Sequence, residues 1–175
     1  QLSQLYLTVE GGVRIGLAGG MTVEDEKIKL VRDCTFFNIR IPYEVTNCAR
    51  GVMRYLLNGG GVYNTLLISP PMAGKTTLLR DIARQLSNGL QTKPMEVCIV
   101  DERGELAASV NGVPQFDVGM RTDVLDNCPK HEGISRAIRV MSPNVIITDE
   151  IGSATDTMAL LDASVSGVNV IASAH

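Results

Sequence analysis

The stretch Thr65-Leu66-Leu67-Ile68-Ser69-Pro70-Pro71-Met72-Ala73-Gly74-Lys75-Thr76-Thr77 decides the fold. Thr65 to Ile68 reads as a buried strand. A helix starts near Lys75 and runs over Thr76 to Leu86, with Leu79, Ile82, Ala83 and Leu86 on one face. Between them stands the phosphate-loop pattern G-x-x-x-x-G-K-[ST], with Ser69 in place of the first glycine. In such a loop backbone N–H groups of Ser69, Pro70, Pro71, Met72, Ala73, Gly74, Lys75, Thr76 and Thr77, proline excepted, wrap an anion at a helix N-terminus. Gly74 keeps the position where backbone must approach phosphate, Lys75 supplies the cation, and the Thr76 hydroxyl is a magnesium ligand. The bland alternative is a Gly-Lys-Thr turn that only caps a helix.

Downstream, the chain repeats a strand-then-helix rhythm. Val97 to Val100, Val145 to Thr148 and Val168 to Ala174 are uniformly apolar runs; Ile134 to Met141 and Asp156 to Val165 have helical spacing. Apolar strands separated by helices belong to a parallel sheet covered on both faces, hence an α/β fold. The strands end in chemistry. Val145 to Thr148 runs into Asp149-Glu150, where Asp149 suits magnesium, directly or through water, and Glu150 could polarise an attacking water. A solvated strand end is the alternative. Val97 to Val100 runs into Asp101-Glu102-Arg103-Gly104-Glu105, whose acids either act on a ligand or merely pair with Arg103 and cap a loop. Val168 to Ala174 delivers His175, a catalytic group or a polar terminus. Ligands of open α/β sheets gather at the carboxyl ends of strands, so this convergence points to one catalytic edge.

Ala107 to Pro129 shows no clear period and reads as a long loop. Arg121, with Arg136 and Arg139 on the following helix, are candidates for an arginine that neutralises γ-phosphate charge in its own or a neighbouring subunit, or are ordinary surface charges. Before the loop, short β-like runs Leu5 to Val9 and Val13 to Ala18 are broken at Gly11-Gly12 and Gly19-Gly20. Val45 to Leu57 has helical spacing and ends at Asn58-Gly59-Gly60-Gly61, a natural linker. The domain boundary is expected there, giving 1–60 and 61–175.

Charge follows the same division. Residues 1–64 carry 7 basic and 6 acidic side chains, a net of +1; residues 65–175 carry 9 and 13, a net of −4. The 175 residues, 45 % hydrophobic and 20 % charged, are an ordinary globular composition, and the total of −3 argues against a chain that coats nucleic acid. No apolar run reaches the roughly 18 residues of a membrane span. Four cysteines without a C-x-x-C pair suggest reduced thiols in a cytosolic protein, and Cys128 with His131 is too small a set for a metal site. The start at Gln1 and the stop at His175 straight after an apolar run are expected of a fragment.

The runs SPPMAGKTTLLRDIARQLS, VDERGELA, VGMRTDVLDNCPKHEGI, IRVMSPNVIITDEIG and GVNVIASAH, with GGVRIGLAGG and FFNIRIP before the linker, closely resemble the stage III sporulation protein AA family of endospore-forming bacteria. That family is itself similar to type II and type IV secretion ATPases and pilus retraction motors. The resemblance implies a RecA-like P-loop NTPase core preceded by the C-terminal part of a small α+β domain. It gives Lys75 and Thr76 the Walker A roles and Asp149-Glu150 the Walker B roles. Asp101-Glu102-Arg103-Gly104-Glu105 would be the acidic box, with its first two acids reversed, and Gly167 to His175 the histidine box. Met72-Ala73 stands where Gly-Cys is expected. The implied function is magnesium-dependent hydrolysis of ATP by a hexameric motor, cytoplasmic on the mother-cell side and docked on membrane channel proteins to the forespore. An ATP-binding assembly switch and a nucleic-acid-linked ATPase are the alternatives; no direct nucleic-acid contact is expected from residues 1–175.

Overall fold

A computed structural model describes residues 5–25 and 27–175. The chain forms two compact units, Gln1–Glu44 with Ala108–Phe116, and Val45–Ala107 with Asp117–His175. The first is an antiparallel sheet of β1 (Tyr6–Val9), β2 (Val13–Glu24) and β3 (Lys27–Arg40) in that order. Gly19-Gly20 does not end β2 as expected. The register against β3 shifts between Ala18 and Gly19 and again between Gly20 and Met21, so the glycines absorb bulges inside a longer strand. A Cβ at Gly19 would stand 1.8 Å from the Asp33 carbonyl oxygen, which only glycine tolerates.

The expected long loop divides between the units. Ala108–Phe116 packs with the first: a Cβ at Gly12 would lie 2.8 Å from the Ala108 Cβ, and the Gly11 N–H donates to Gln115 Oε1 at 3.0 Å. Its later part holds a strand that the sequence pattern hides, β6 (Thr122–Asp126), paired to β5 (Val97–Asp101) from Val97–Thr122 to Asp101–Asp126. With Val124 and Leu125 alone between acids, β6 lacks the apolar run of its neighbours because it is an edge strand.

The second unit is a five-stranded parallel sheet in the order β4 (Thr65–Ile68), β8 (Asn169–Ala174), β7 (Val145–Thr148), β5, β6. The last strand in sequence thus lies between β4 and β7. Alternate side chains serve opposite faces. Ile99, Ile147 and Ile171 pack with Leu79, Ile82 and Leu86 of α2 (Lys75–Asn88), while Val100, Ile146 and Val170 pack with Ile134 of α3 (Lys130–Arg136) and Ala163 of α4 (Ala154–Val165). Burying each large aliphatic chain stabilises by about 1.5–3 kcal/mol. A π-helical turn, Ala137–Met141, prolongs α3.

The segment expected to be helical over Val45 to Leu57 is mostly turns, with one helical turn, α1 (Met53–Leu56). Ala49, Met53, Leu56 and Val62 are buried in the core of the second unit, so the compact unit begins at Val45 and the glycines at 59–61 are a tight turn within it. The polar side of α2 explains why. Asp81, 3 % exposed, accepts the N–H groups of Asn47 (3.0 Å) and Ala49 (2.8 Å), and binds Arg84 at 2.7 Å and Gln85 at 2.8 Å. Burial alone would raise its pKa, but these hydrogen bonds outweigh burial and hold the carboxyl below the usual range. Asn47, at φ 64, leaves the helical region to reach this carboxylate, and its own Oδ1 accepts from Arg84. Asp81→Ala leaves the buried Arg84 charge without its carboxylate and unpins the turn. A loss of about 3 kcal/mol in urea unfolding is expected, and a loss below about 1 kcal/mol would show that the turn holds without its anchor.

Candidate functional site

Gly74, at φ 91, caps α2 in a left-handed conformation that suits glycine, and Met72 lies at φ 61. The loop therefore turns back over the helix start, and Lys75 reaches along its inner side. Its Nζ donates to the carbonyl oxygens of Ser69 (2.7 Å) and Pro70 (3.1 Å) and stands 3.0 Å from His175 Nδ1. His175 Nε2 stands 3.1 Å from Glu150 Oε1, and the other Glu150 oxygen is paired with Arg103. Because a lysine ammonium only donates, Nδ1 is assigned as acceptor and Nε2–H as donor to Glu150. Lys75, His175, Glu150 and Arg103 thus form a continuous row.

Strand order makes the row possible. β8 lies between β4 and β7, with Ile68 opposite Ala174 and Thr148 opposite Ala172, so His175 leaves the sheet between the phosphate-type loop and the Asp149-Glu150 pair. Glu150 sits at φ 41, unusual for a side-chain-bearing residue, and its N–H donates to Ser173 Oγ at 3.0 Å. Strained backbone of this kind persists where the surroundings over-determine it. Burial works to raise the Glu150 pKa, but the His175 hydrogen bond and the Arg103 guanidinium outweigh it and hold the carboxyl below its usual range.

Asp149 differs in every respect. It is 1 % exposed, and neither carboxylate oxygen has a hydrogen-bond partner. Burial, and then the charge of Asp101, push its pKa up to about 6, with Lys130 opposing. A buried carboxylate with both oxygens unmatched is costly unless a cation meets it. Asp149 and the Thr76 hydroxyl are oxygen donors of the kind a hard divalent ion takes, so the donor set fits magnesium.

The acidic segment after β5 divides its labour. Asp101, fully buried, accepts the N–H groups of Glu105 (2.9 Å), Leu106 (3.0 Å) and Ala107 (2.9 Å), so its carboxylate shapes the loop. Arg80 of α2 holds the same loop from outside through the Leu106 and Glu105 carbonyls. Glu102 is paired at 2.6 Å with Lys130, whose side chain is buried. The charges of Lys130 and Glu105 both act on Asp149. Arg103, a pairing partner for its own segment's acids only under the alternative reading, is paired with Glu150.

The candidate arginines do not join this chain's row. Arg121 precedes β6 at the amino end of the strands, opposite the end that carries Lys75, Glu150 and His175, and pairs with Glu96 at 2.7 Å. Arg136 is an exposed partner of Glu132, 3.7 Å away on the same helix, and Arg139 lines a groove between α3 and α4. Sequence reasoning missed Ser173, Lys130 and Asp81: a serine in an apolar strand, a lysine at a helix start and an acid on a helix give no local sign of what folds over them.

The family model for sporulation stage III, protein AA matches residues 1–175. The chain belongs to that family. Stage III sporulation protein AA of Bacillus subtilis (strain 168) is 49 % identical over 176 residues, covering 100 % of this chain and 57 % of that protein. The chain therefore spans little more than half of its relative's length. SEEDLING PLASTID DEVELOPMENT 1 of Arabidopsis thaliana is 34 % identical over 126 residues, 71 % of this chain and 18 % of that protein. Among solved structures, the X-ray structure of the Legionella pneumophila ATPase DotB matches with a TM-score of 0.59 at 17 % identity, covering 93 % of this chain and 42 % of that one. At that identity the likeness concerns the fold. It agrees with the α/β architecture expected from the apolar strands that alternate with helices in this chain. No helix among the described residues is long and apolar enough to cross a membrane.

Proposed function

We propose that this family member hydrolyses ATP with magnesium, as the motor of a secretion-type complex at the membrane between mother cell and forespore. The observation that carries the reading is the row Lys75–His175–Glu150 beside the unmatched Asp149, all at the carboxyl ends of β4, β7 and β8. Lys75 is placed to exchange its loop carbonyls for phosphate oxygens, and Glu150 to accept a proton from an attacking water. His175 links the two, so a lysine drawn to phosphate gives up its hydrogen bond to the histidine that pairs with Glu150. Magnesium, when bound by Thr76 and Asp149, would supply charge neutralisation for the leaving phosphates. The choice of ATP, a hexameric ring, a cytoplasmic position on the mother-cell side and channel proteins as partners rest on the family resemblance, and ATP also on the shared fold with DotB, itself an ATPase.

One feature favours a second reading, an assembly switch that binds ATP with little turnover. Glu150 is engaged on both oxygens, by His175 and Arg103, and a carboxylate so occupied is a poor base until something displaces its partners. Single-turnover release of phosphate, measured on the full-length protein with magnesium and ATP, separates the two. Release many orders of magnitude above the uncatalysed rate is expected; release near that rate would overturn the motor and leave the switch.

A further inference from the structure

Arg103, rather than Arg121, Arg136 or Arg139, is the arginine that stands in the row. β5 and β7 pair with Val100 opposite Thr148, so the segments that leave the two strands run side by side, and the Arg103 guanidinium crosses from one to the other to pair with Glu150. We propose that Arg103 has two positions: it latches Glu150 while the site is empty, and it transfers to the terminal phosphate of a bound nucleoside triphosphate, leaving Glu150 to the attacking water.

The proposal rests on the nucleotide reading and adds a regulation of the same site. Both cations of the row rest on protein acceptors, Lys75 on the Ser69 and Pro70 carbonyls beside His175, and Arg103 on Glu150. A terminal phosphate that is held by Lys75 and approached by a water on Glu150 lies between those two groups, one carboxylate away from the guanidinium. Phosphate offers a guanidinium the same forked pairing as a carboxylate, with more charge. Only a side chain has to move. The loop on either side of Arg103 is fastened, since Lys130 holds Glu102, Asp101 takes the N–H groups of Glu105, Leu106 and Ala107, and Arg80 takes the Glu105 and Leu106 carbonyls. The Arg103 side chain itself is 54 % exposed, so it exchanges one anion for another without leaving a buried pocket. While it stays on Glu150, both carboxylate oxygens are occupied, and the base is released only by the ligand it is to act on.

The test compares ligands that differ in the terminal phosphate. Equilibrium dialysis of the full-length protein with magnesium measures the non-hydrolysable triphosphate analogue AMP-PNP and, separately, ADP. Arg103→Ala should weaken AMP-PNP by about 10-fold or more, the worth of one charge-assisted hydrogen bond, and ADP by less than about 2-fold, so that ADP binding also reports that the variant is folded. Arg103→Lys, which keeps the charge, should bind AMP-PNP more tightly than Arg103→Ala. Single-turnover release of phosphate from saturating ATP should fall by about 100-fold or more in Arg103→Ala, as expected for an arginine that meets the transferring phosphate. In the Glu150→Gln background the same substitution should still cost AMP-PNP about 10-fold, whereas an arginine that acts only by holding Glu150 would cost nothing there. Equal weakening of ADP and AMP-PNP, unchanged AMP-PNP binding, faster phosphate release by Arg103→Ala, or an effect that vanishes in Glu150→Gln would each overturn the transfer and leave nucleotide binding standing. Failure of the wild-type protein to bind either ligand would overturn both.

Discussion

Glu150→Gln is expected to lower single-turnover ATP hydrolysis by about 10²–10⁴-fold, the usual worth of a positioned general base, while ATP affinity stays within a few-fold of wild type. The amide keeps the side-chain shape and still accepts from His175, but it cannot take a proton from water. It also loses its charge-assisted pairing with Arg103. Lys75→Ala should behave differently, losing nucleotide affinity and turnover together, because its amine is the one placed to meet phosphate. Dialysis against labelled ATP together with rapid-quench phosphate release distinguishes the pair. Undiminished release by Glu150→Gln would remove Glu150 from the chemistry.

Asp149→Asn should make the metal-free protein more stable at pH 7.5 and at the same time abolish magnesium-dependent nucleotide binding. The folded-state pKa of Asp149 is raised to about 6 from an ordinary 3.8. The unfolded chain therefore gives up this proton more readily than the native one, and above pH 6 the buried unmatched charge works against folding. That penalty approaches about 3 kcal/mol for a shift of about two pH units. It fades as pH falls from 6 toward 4, where both states hold the proton. Urea unfolding at pH 7.5 should thus favour the variant by about 1–3 kcal/mol, and unfolding near pH 4 should show little difference. Equal stability at both values would mean that Asp149 has a partner in the folded protein. The loss of binding follows from the same feature under the proposed function, since the two bare oxygens that destabilise the metal-free fold are those the proposed magnesium would meet.

Strand ends are easier to read than what folds over them. Thr65 to Ile68, Val97 to Val100 and Val145 to Thr148 announce themselves as parallel strands by their apolar runs, and each leads directly into polar chemistry. β6 stays hidden because an edge strand needs no such run, and Val45–Leu57 misleads because its helical spacing describes burial against α2, while Asp81 pulls the backbone around Asn47 out of the helix. The acidic segment shows a similar limit. Its composition promises a ligand site, yet Asp101 spends its carboxylate on three N–H groups of its own loop, and only the fold brings Arg103 to Glu150.

From the sequence alone come the groups themselves: the Gly74-Lys75-Thr76 turn, Asp149-Glu150 and His175, each set at the end of a strand by local pattern. Their order across the sheet comes from the tertiary structure. Parallel strands pair through backbone hydrogen bonds that are the same for any apolar sequence, so no residue in Asn169–Ala174 declares that it will insert between β4 and β7. That placement depends on which helix covers which face over the whole unit. It puts His175 between Lys75 and Glu150 and turns separate strand ends into one site.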